Sequence, residues 1–277
     1  MSNVDYRIFS DTAQVVGRLK SCYSFWSSLG ASQFILDVIR EGYKLSFSAV
    51  PASAFLPNNK SSLDNSYFVV EAIKDLVSSG AVVETSERPY VVNPLTVAQN
   101  VSKLRLVLDL RHINQFIVLE HMRFEDWSLA SKLLKRDSFI FSFDLKSGYH
   151  HIDIHKDYQK FLGFSWLIDG VVHFYYFTVL PFGLASAGWI FSKVVRCLVT
   201  AWRRLGISII VYLDDGLGIC SSFQEAQRVS DLVRKDIIRS GFVISAKKSC
   251  WEPTQTLVWL GVEIRTDLGL IRMPFIY

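Results

Sequence analysis

Cysteine is scarce in this 277-residue chain, and the four present, Cys22, Cys197, Cys220 and Cys250, are far apart and form no C-x-x-C pair. That argues against a disulfide framework or a cysteine zinc site and suits reduced thiols inside a cell. Long apolar runs are missing too: none approaches the roughly 20 residues a membrane helix needs. The N-terminus, MSNVDYRIFSDT, lacks a basic segment followed by an apolar one, so no signal peptide is read. An intracellular chain is expected, in cytoplasm or nucleus. No charge sign dominates. With 30 basic and 26 acidic residues the net charge is +4, which permits a polyanionic partner without demanding one. Repeats and low-complexity tracts are absent.

What is present is apolar. Half of the residues are hydrophobic, which supports a sizeable core and argues against global disorder. The length fits one large domain or two small ones. Helical spacing at Phe34, Ile35, Val38 and Ile39 ends near Gly42. KLSFSAVPASAFLPNNKSSLDNS then reads as an extended linker, with a boundary near residue 62. Tyr67 to Ser79 is a predicted helix stopped by Gly80. VVNPLTVAQNVSKLRLVLDL reads as two strands around a polar turn at Asn100. Trp127 to Leu134 is a short helix and FIFSFDL, 139–145, a strand. FLGFSW and VVHFYYF form a hairpin around Asp169-Gly170. A long helix covers Leu184 to Leu205. ISIIVYLDD is a strand, Asp215-Gly216 its turn, and LGICS the return strand. Ser222-Phe-Gln-Glu225 fits a capping box for a helix running to Gly241. FVISAKKSC and LVWLGVEI are further strands. This order predicts an α+β fold.

The chemistry-bearing feature is a set of carboxylates. Asp214 and Asp215 follow an apolar run, and Asp144 ends another. On the 139–144 strand Ile140, Ser142 and Asp144 share one face and Phe139, Phe141 and Phe143 the other. The phenylalanine face must pack on helices, leaving Asp144 on an opposite, polar face. If that strand neighbours 207–213, three carboxylates converge. Three anions raise one another's pKa or hold cations, and oxygen ligands suit Mg²⁺. Two such ions about 4 Å apart clamp the attacking and leaving oxygens of a phosphoryl transfer. The plain alternative is a hairpin tip with solvated charges, with Asp144 as an ordinary strand-closing residue.

The neighbours extend the pattern. Tyr212-Leu213-Asp214-Asp215 resembles the Y-x-D-D box of reverse transcriptases. Phe143-Asp144-Leu145-Lys146-Ser147-Gly148-Tyr149 resembles their first aspartate box. Leu104 to Asn114 resembles the fingers strand, R-x-x-x-D-x-R-x-x-N. Leu180-Pro181-Phe182-Gly183-Leu184 resembles the L-P-x-G turn, and Trp259-Leu260-Gly261 the hairpin beyond the palm. All five stand in the family's order across roughly residues 65 to 275. The L-P-F-G-L form is closer to retrotransposon enzymes, and WSSLGASQFILDVIREGYKLSF looks like the leader of DIRS-type elements.

The resemblance implies a right-hand polymerase with fingers and palm: an antiparallel palm sheet with helices packed on one face. Residues 1–62 would be an N-terminal extension and linker, and 63–277 the reverse transcriptase domain without a thumb. It implies RNA-directed DNA polymerase activity, with nucleotidyl transfer from a dNTP to a primer 3′-hydroxyl. Asp144, Asp214 and Asp215 would be catalytic, and the metal set Asp144, Leu145, Asp214 and Asp215, for two Mg²⁺ ions with Mn²⁺ as substitute. Arg105 would contact the triphosphate, where its guanidinium fork suits phosphate; its alternative is a solvated strand charge. Tyr149 would lie under the sugar and exclude a 2′-hydroxyl; its alternative is core packing. Phe182 and Gly183 would pack near the nucleotide. Lys247 or Lys248 would assist the leaving pyrophosphate, against the common reading of a lysine pair as solvated. Val258 to Val262 would lie beneath the primer end.

Departures qualify this. The fingers tip has Gln99 and Asn100 where the family often carries lysines, and its turn looks a residue short, so triphosphate grip would lean on Arg105 and Lys103. No later acidic set resembles a ribonuclease H site, so further polyprotein domains are expected elsewhere and template release should be fast. His150, His151 and His155 cluster without cysteines, which argues against a zinc site; His150 and His151 are expected to flank the cleft or face water. Arg228, Lys235 and Arg239 read as a solvated helix face. Two alternatives stand beside the polymerase. One is a catalytically silent nucleic-acid-binding remnant. The other is an RNA-directed RNA polymerase, against which Tyr149 and the absence of G-D-D both weigh.

Overall fold

The computed structural model describes residues 14–100 and 103–272. Its central element is an antiparallel four-stranded sheet in the order Cys250–Thr254, Phe139–Asp144, Asp215–Cys220, Ser208–Tyr212. The strand carrying Asp144 therefore lies beside the return strand 215–220, not beside 207–213 as the sequence suggested.

Phe141 and Phe143 belong to the main core. Phe143 meets Trp202 of the helix Ala187–Arg204 edge-on, and Phe139 meets Phe223 of the helix Phe223–Ser240. The helices thus pack on the phenylalanine face, as alternation requires. The opposite face is not polar. Ile140, Ile210, Leu217 and Ile219 bury themselves there against Leu257, Trp259 and Ile264 of the C-terminal strands and Ala130 of the helix Trp127–Leu133. The sequence misjudged this face because its cover arrives from distant segments. The expected strand LVWLGVEI is in fact a hairpin, Thr256–Trp259 with Val262–Arg265, turning at Leu260-Gly261 with both φ positive. The expected strand FVISAKKSC contributes one bridge, Leu145 with Ile244, before the chain turns at 246–248.

A second, mixed sheet has the order Ala54–Phe55, Val91–Asn93, Gly163–Ile168, Val171–Phe177, Val82–Thr85. The hairpin at Asp169-Gly170 forms as expected, with φ 50° and 82°. Strands Leu95–Asn100 and Lys103–Leu108 project as a two-stranded ribbon. The tip turn at 101–102 and the Asn100 side chain lie outside the described residues. The helices fall close to their expected spans, Ser66–Ser78 and Ala187–Arg204 among them. At the helix Phe223–Ser240, Ser222 Oγ accepts from Glu225 N, while the Glu225 carboxylate accepts from Ser221 N at 2.9 Å, so two orphan donors are satisfied. Arg228, Lys235 and Arg239 are exposed, as predicted.

The first 13 residues lie outside the described chain. Residues 14–45 pack into the main core through Leu19, Trp26, Ile35, Val38, Ile39, Tyr43 and Leu45. Trp26 Nε1 donates to Ser240 O and Arg18 Nε to Gly241 O. The segment read as an unpacked linker is also engaged: 54–55 pairs with 91–92, Phe47 bridges Ile117, and Asn58 Oδ1 accepts from Leu95 N. Its prolines and serines break regular structure but leave side chains that bond across to other strands.

Candidate active site

Register assembles the carboxylates. Strand Phe139–Asp144 ends on Asp144, strand Asp215–Cys220 begins on Asp215, and the two aspartates are direct cross-strand partners. Asp215 also pairs with Tyr212, so the hairpin turn is Leu213-Asp214 and not Asp215-Gly216. The glycines explain the difference. Gly216 sits opposite Phe143 and Gly218 opposite Phe141. A Cβ at either would enter the facing ring. The glycines make room for rings, and the turn strain falls on Leu213, at φ 53°, an unfavourable region for a bulky residue. Leu145 N donates to Asp214 O at 2.9 Å and ties that turn to the chain just past Asp144.

The site is charged and partly dry. Burial, then Asp214 and Asp144, push the Asp215 carboxyl up to about 6. Burial, then Asp144, also raises Asp214. Asp144 is buried, and Lys248 Nζ donates to its Oδ2 at 2.9 Å. That hydrogen bond raises the Lys248 pKa. The turn carrying Lys248 is pinned here: Ser245 N donates to Asp144 O at 2.8 Å, and Asp144 N donates to Ser249 Oγ at 3.1 Å. Among the described residues no three His, Cys, Asp or Glu side chains are arranged to hold a metal. The cation at this edge is the Lys248 ammonium. The donor chemistry still fits a hard divalent ion: three carboxylates, two of them raised by burial and by their like-charged neighbours.

Tyr149 lies in the short 3₁₀ turn Gly148–His151. Burial, then Asp214 and Tyr212, raise its pKa. Its ring contacts Phe182 at 5.2 Å and Phe191 at 5.6 Å between centroids. Gly148 is needed for close approach rather than a sharp bend: an added Cβ would lie 3.3 Å from the Asp214 Cβ and 3.0 Å from the Phe191 ring. The left-handed position is Ser147 before it, at φ 51°.

Phe182 is 49% exposed, available to a ligand. Gly183, at φ 107°, lies against the Leu108 carbonyl, which a Cβ would strike. Asn114 clamps this turn, Nδ2 donating to Gly183 O at 2.8 Å and Oδ1 accepting from Ala185 N at 2.9 Å. Arg105 is exposed on the ribbon, opposite Ala98, and has no ion pair among the described residues. Leu145 is buried beside Asp144.

Some contributors were missed. Asp109 is gripped by Arg111 and Asn59, which hold its carboxyl at about 2. Glu125 accepts from Arg203 at 2.8 and 2.9 Å and from Val211 N at 3.1 Å, fastening segment 120–126 to the strand before the Asp pair. Only the fingers pattern hinted at Asp109 and Asn114; nothing local marked Glu125. The histidine reading needs correction. His151 is 1% exposed: its Nε2 accepts from Val243 N at 3.0 Å, so Nδ1 carries the proton and donates to Gly148 O at 3.2 Å. Burial lowers its pKa to about 3. Its burial is fixed by a hydrogen-bond pair that sequence spacing cannot display. His155 caps a short helix, Nδ1 accepting from Asp157 N.

A palm-like sheet with paired aspartates at its edge places the chain among template-directed polymerase folds, and comparison with known proteins agrees. It superposes on the foamy viral protease–reverse transcriptase solved with an RNA/DNA hybrid, at TM-score 0.66 and 23% identity, covering 81% of this chain and 29% of that one. The family model for reverse transcriptase (RNA-dependent DNA polymerase) matches residues 97–264, more than half of the sequence, and the chain belongs to that family. It is 28% identical to the retrovirus-related Pol polyprotein from transposon gypsy of Drosophila melanogaster, over 72% of this chain and 19% of that protein. It is 26% identical to a putative enzymatic polyprotein of Cassava vein mosaic virus, over 74% of this chain and 31% of that protein. The chain thus spans a third or less of these relatives. Reverse transcriptases as a family use divalent metal ions. Among the described residues no helix is long and apolar enough to cross a membrane.

Proposed function

We propose that this chain is the fingers-and-palm part of a retroelement RNA-directed DNA polymerase. It would extend a primer 3′-hydroxyl with dNTPs on an RNA or DNA template. The observation that carries this is the cross-strand pairing of Asp144 with Asp215, with Asp214 in the turn between Tyr212 and Asp215. Asp144, Asp214 and Asp215, with the main chain at Leu145, would hold two Mg²⁺ ions, or Mn²⁺. Bound there, the ions supply charge for the attacking and leaving oxygens. Lys248, paired with Asp144 Oδ2, would share that carboxylate with the ions and present its ammonium to the pyrophosphate.

The other residues position and select. Arg105, exposed and without an ion pair, offers its guanidinium fork to the triphosphate. Tyr149, set beside Asp214 and braced by Phe182 and Phe191, places a flat ring under the sugar. Phe182 and Gly183 shape the nucleotide's floor, held by Asn114. We further propose residues 63–277 as the polymerase domain, with 14–62 as a bracket against it. The DIRS-type reading of that leader rests on its sequence alone.

Primer extension on an RNA template with Mg²⁺ tests the reading. The parent should extend, and Asp144→Asn or Asp214→Asn should not, while all three stay folded. Unchanged extension in either variant removes the triad assignment. The second reading, a silent remnant, is favoured by the Lys248–Asp144 ion pair, which occupies one of the three carboxylates without ions; a folded parent that binds primer-template yet never extends it would establish that reading.

A further inference from the structure

A groove outside the carboxylate site is lined by none of the residues assigned to that site. It has a volume of about 550 Å³ and lies between the N-terminal helices and the helix Ala187–Arg204. Trp189, Lys193, Arg196 and Arg204 line it at helical spacing, forming one stripe along that helix. Lys193 to Arg204 spans about 16 Å at 1.5 Å per residue.

Two features set this stripe apart from an ordinary solvated face. None of its three cations has a carboxylate within ion-pair distance among the described residues. Arg196 donates to a backbone carbonyl, that of Arg123, and Lys193 lies over the Trp189 ring at 5.6 Å. Among the described residues Glu120 is the sole carboxylate lining the groove. At one end Trp189 meets Phe34, with centroids 5.9 Å apart, and Phe34 is 48% exposed. Unpaired cations along a trough with aromatic rings at its end are the parts that take a phosphate backbone and stack unpaired bases. A duplex keeps its bases stacked inside and cannot use the rings.

We infer that this groove is a second nucleic-acid site, holding a single strand that runs along the helix Ala187–Arg204. The inference goes beyond the polymerase reading and does not depend on it, since binding here should survive Asp214→Asn.

The test measures fluorescence anisotropy of labelled oligo(U) and oligo(dT) on the full chain across a salt series. Lys193→Glu/Arg204→Glu should keep the parent's melting temperature and bind at least about tenfold more weakly. Its salt slope should be shallower by about 1.4, because each lost phosphate contact on a single strand removes about 0.7. Loss in either arm supports the site, and the arm that loses more identifies the strand. Arg228→Glu/Lys235→Glu, on the helix Phe223–Ser240, should bind like the parent. Unchanged affinity and slope in the groove variant would overturn the inference. So would an equal loss in the control, which would mean net charge alone, or an equal loss for a blunt RNA–DNA duplex.

Discussion

Asp215→Asn should make the ion-free protein more stable. In the folded chain the carboxyl sits at about 6 against an ordinary 3.8, through burial and the two neighbouring aspartates. At 1.36 kcal/mol per pH unit that difference corresponds to about 3 kcal/mol of unfavourable charge. The group is half-buried, and solvent screening reduces the figure to about 1–1.5 kcal/mol. The sign follows from proton counting. Between roughly pH 4 and 6 the folded state holds a proton that the unfolded state has lost, so stability falls as pH rises through that window and stays low above it. An asparagine escapes this. The variant should therefore melt about 2–6 °C above the parent at about pH 8, and the gap should close near pH 4. Saturating Mg²⁺ should raise the parent more than the variant, because an ion bound to the folded state stabilises it by mass action. Calorimetry without and with Mg²⁺ reads all three. A variant that melts lower at about pH 8, or a gap indifferent to pH, would show that Asp215 is held by contacts that outweigh the repulsion.

Three further expectations can be checked alongside. His151 has a folded pKa of about 3 against 6.5, so its contribution is complete above about pH 6.5 and is lost as pH falls toward 3; it should account for about 2 kcal/mol between pH 7 and 5, and urea titrations of His151→Gln should show a correspondingly flatter pH dependence. Tyr149→Val should incorporate ribonucleotides far better than the parent while slowing with deoxyribonucleotides; equal use of both sugars by the parent, in one primer-template assay, would reduce Tyr149 to packing. Gly216→Ala should cost about 1–3 kcal/mol by forcing a methyl into the Phe143 ring, and Phe143→Leu in the same chain should recover part of the lost melting temperature.

The sequence by itself determined the local elements and the identity of the chemistry. Helix spans, the Asp169-Gly170 hairpin and the Ser222 cap rest on contacts a few residues apart, and such contacts are written in periodicity and turn chemistry. Asp144, Asp214 and Asp215 stood out because carboxylates after apolar runs are costly, and the surrounding boxes named the family. Tertiary structure alone decided how those residues meet. Which strand lies beside Asp144 depends on register, and register is set here by rings: Phe141 and Phe143 need Gly218 and Gly216 opposite them. That moves the turn onto Leu213-Asp214. The cover on the Ile140 face comes in large part from residues 257–264, more than a hundred positions away. The partner of Asp144, Lys248, is likewise 104 residues distant, and the neutral His151 is fixed by Val243. Such pairings depend on how distant segments pack, and no local pattern of polarity records them.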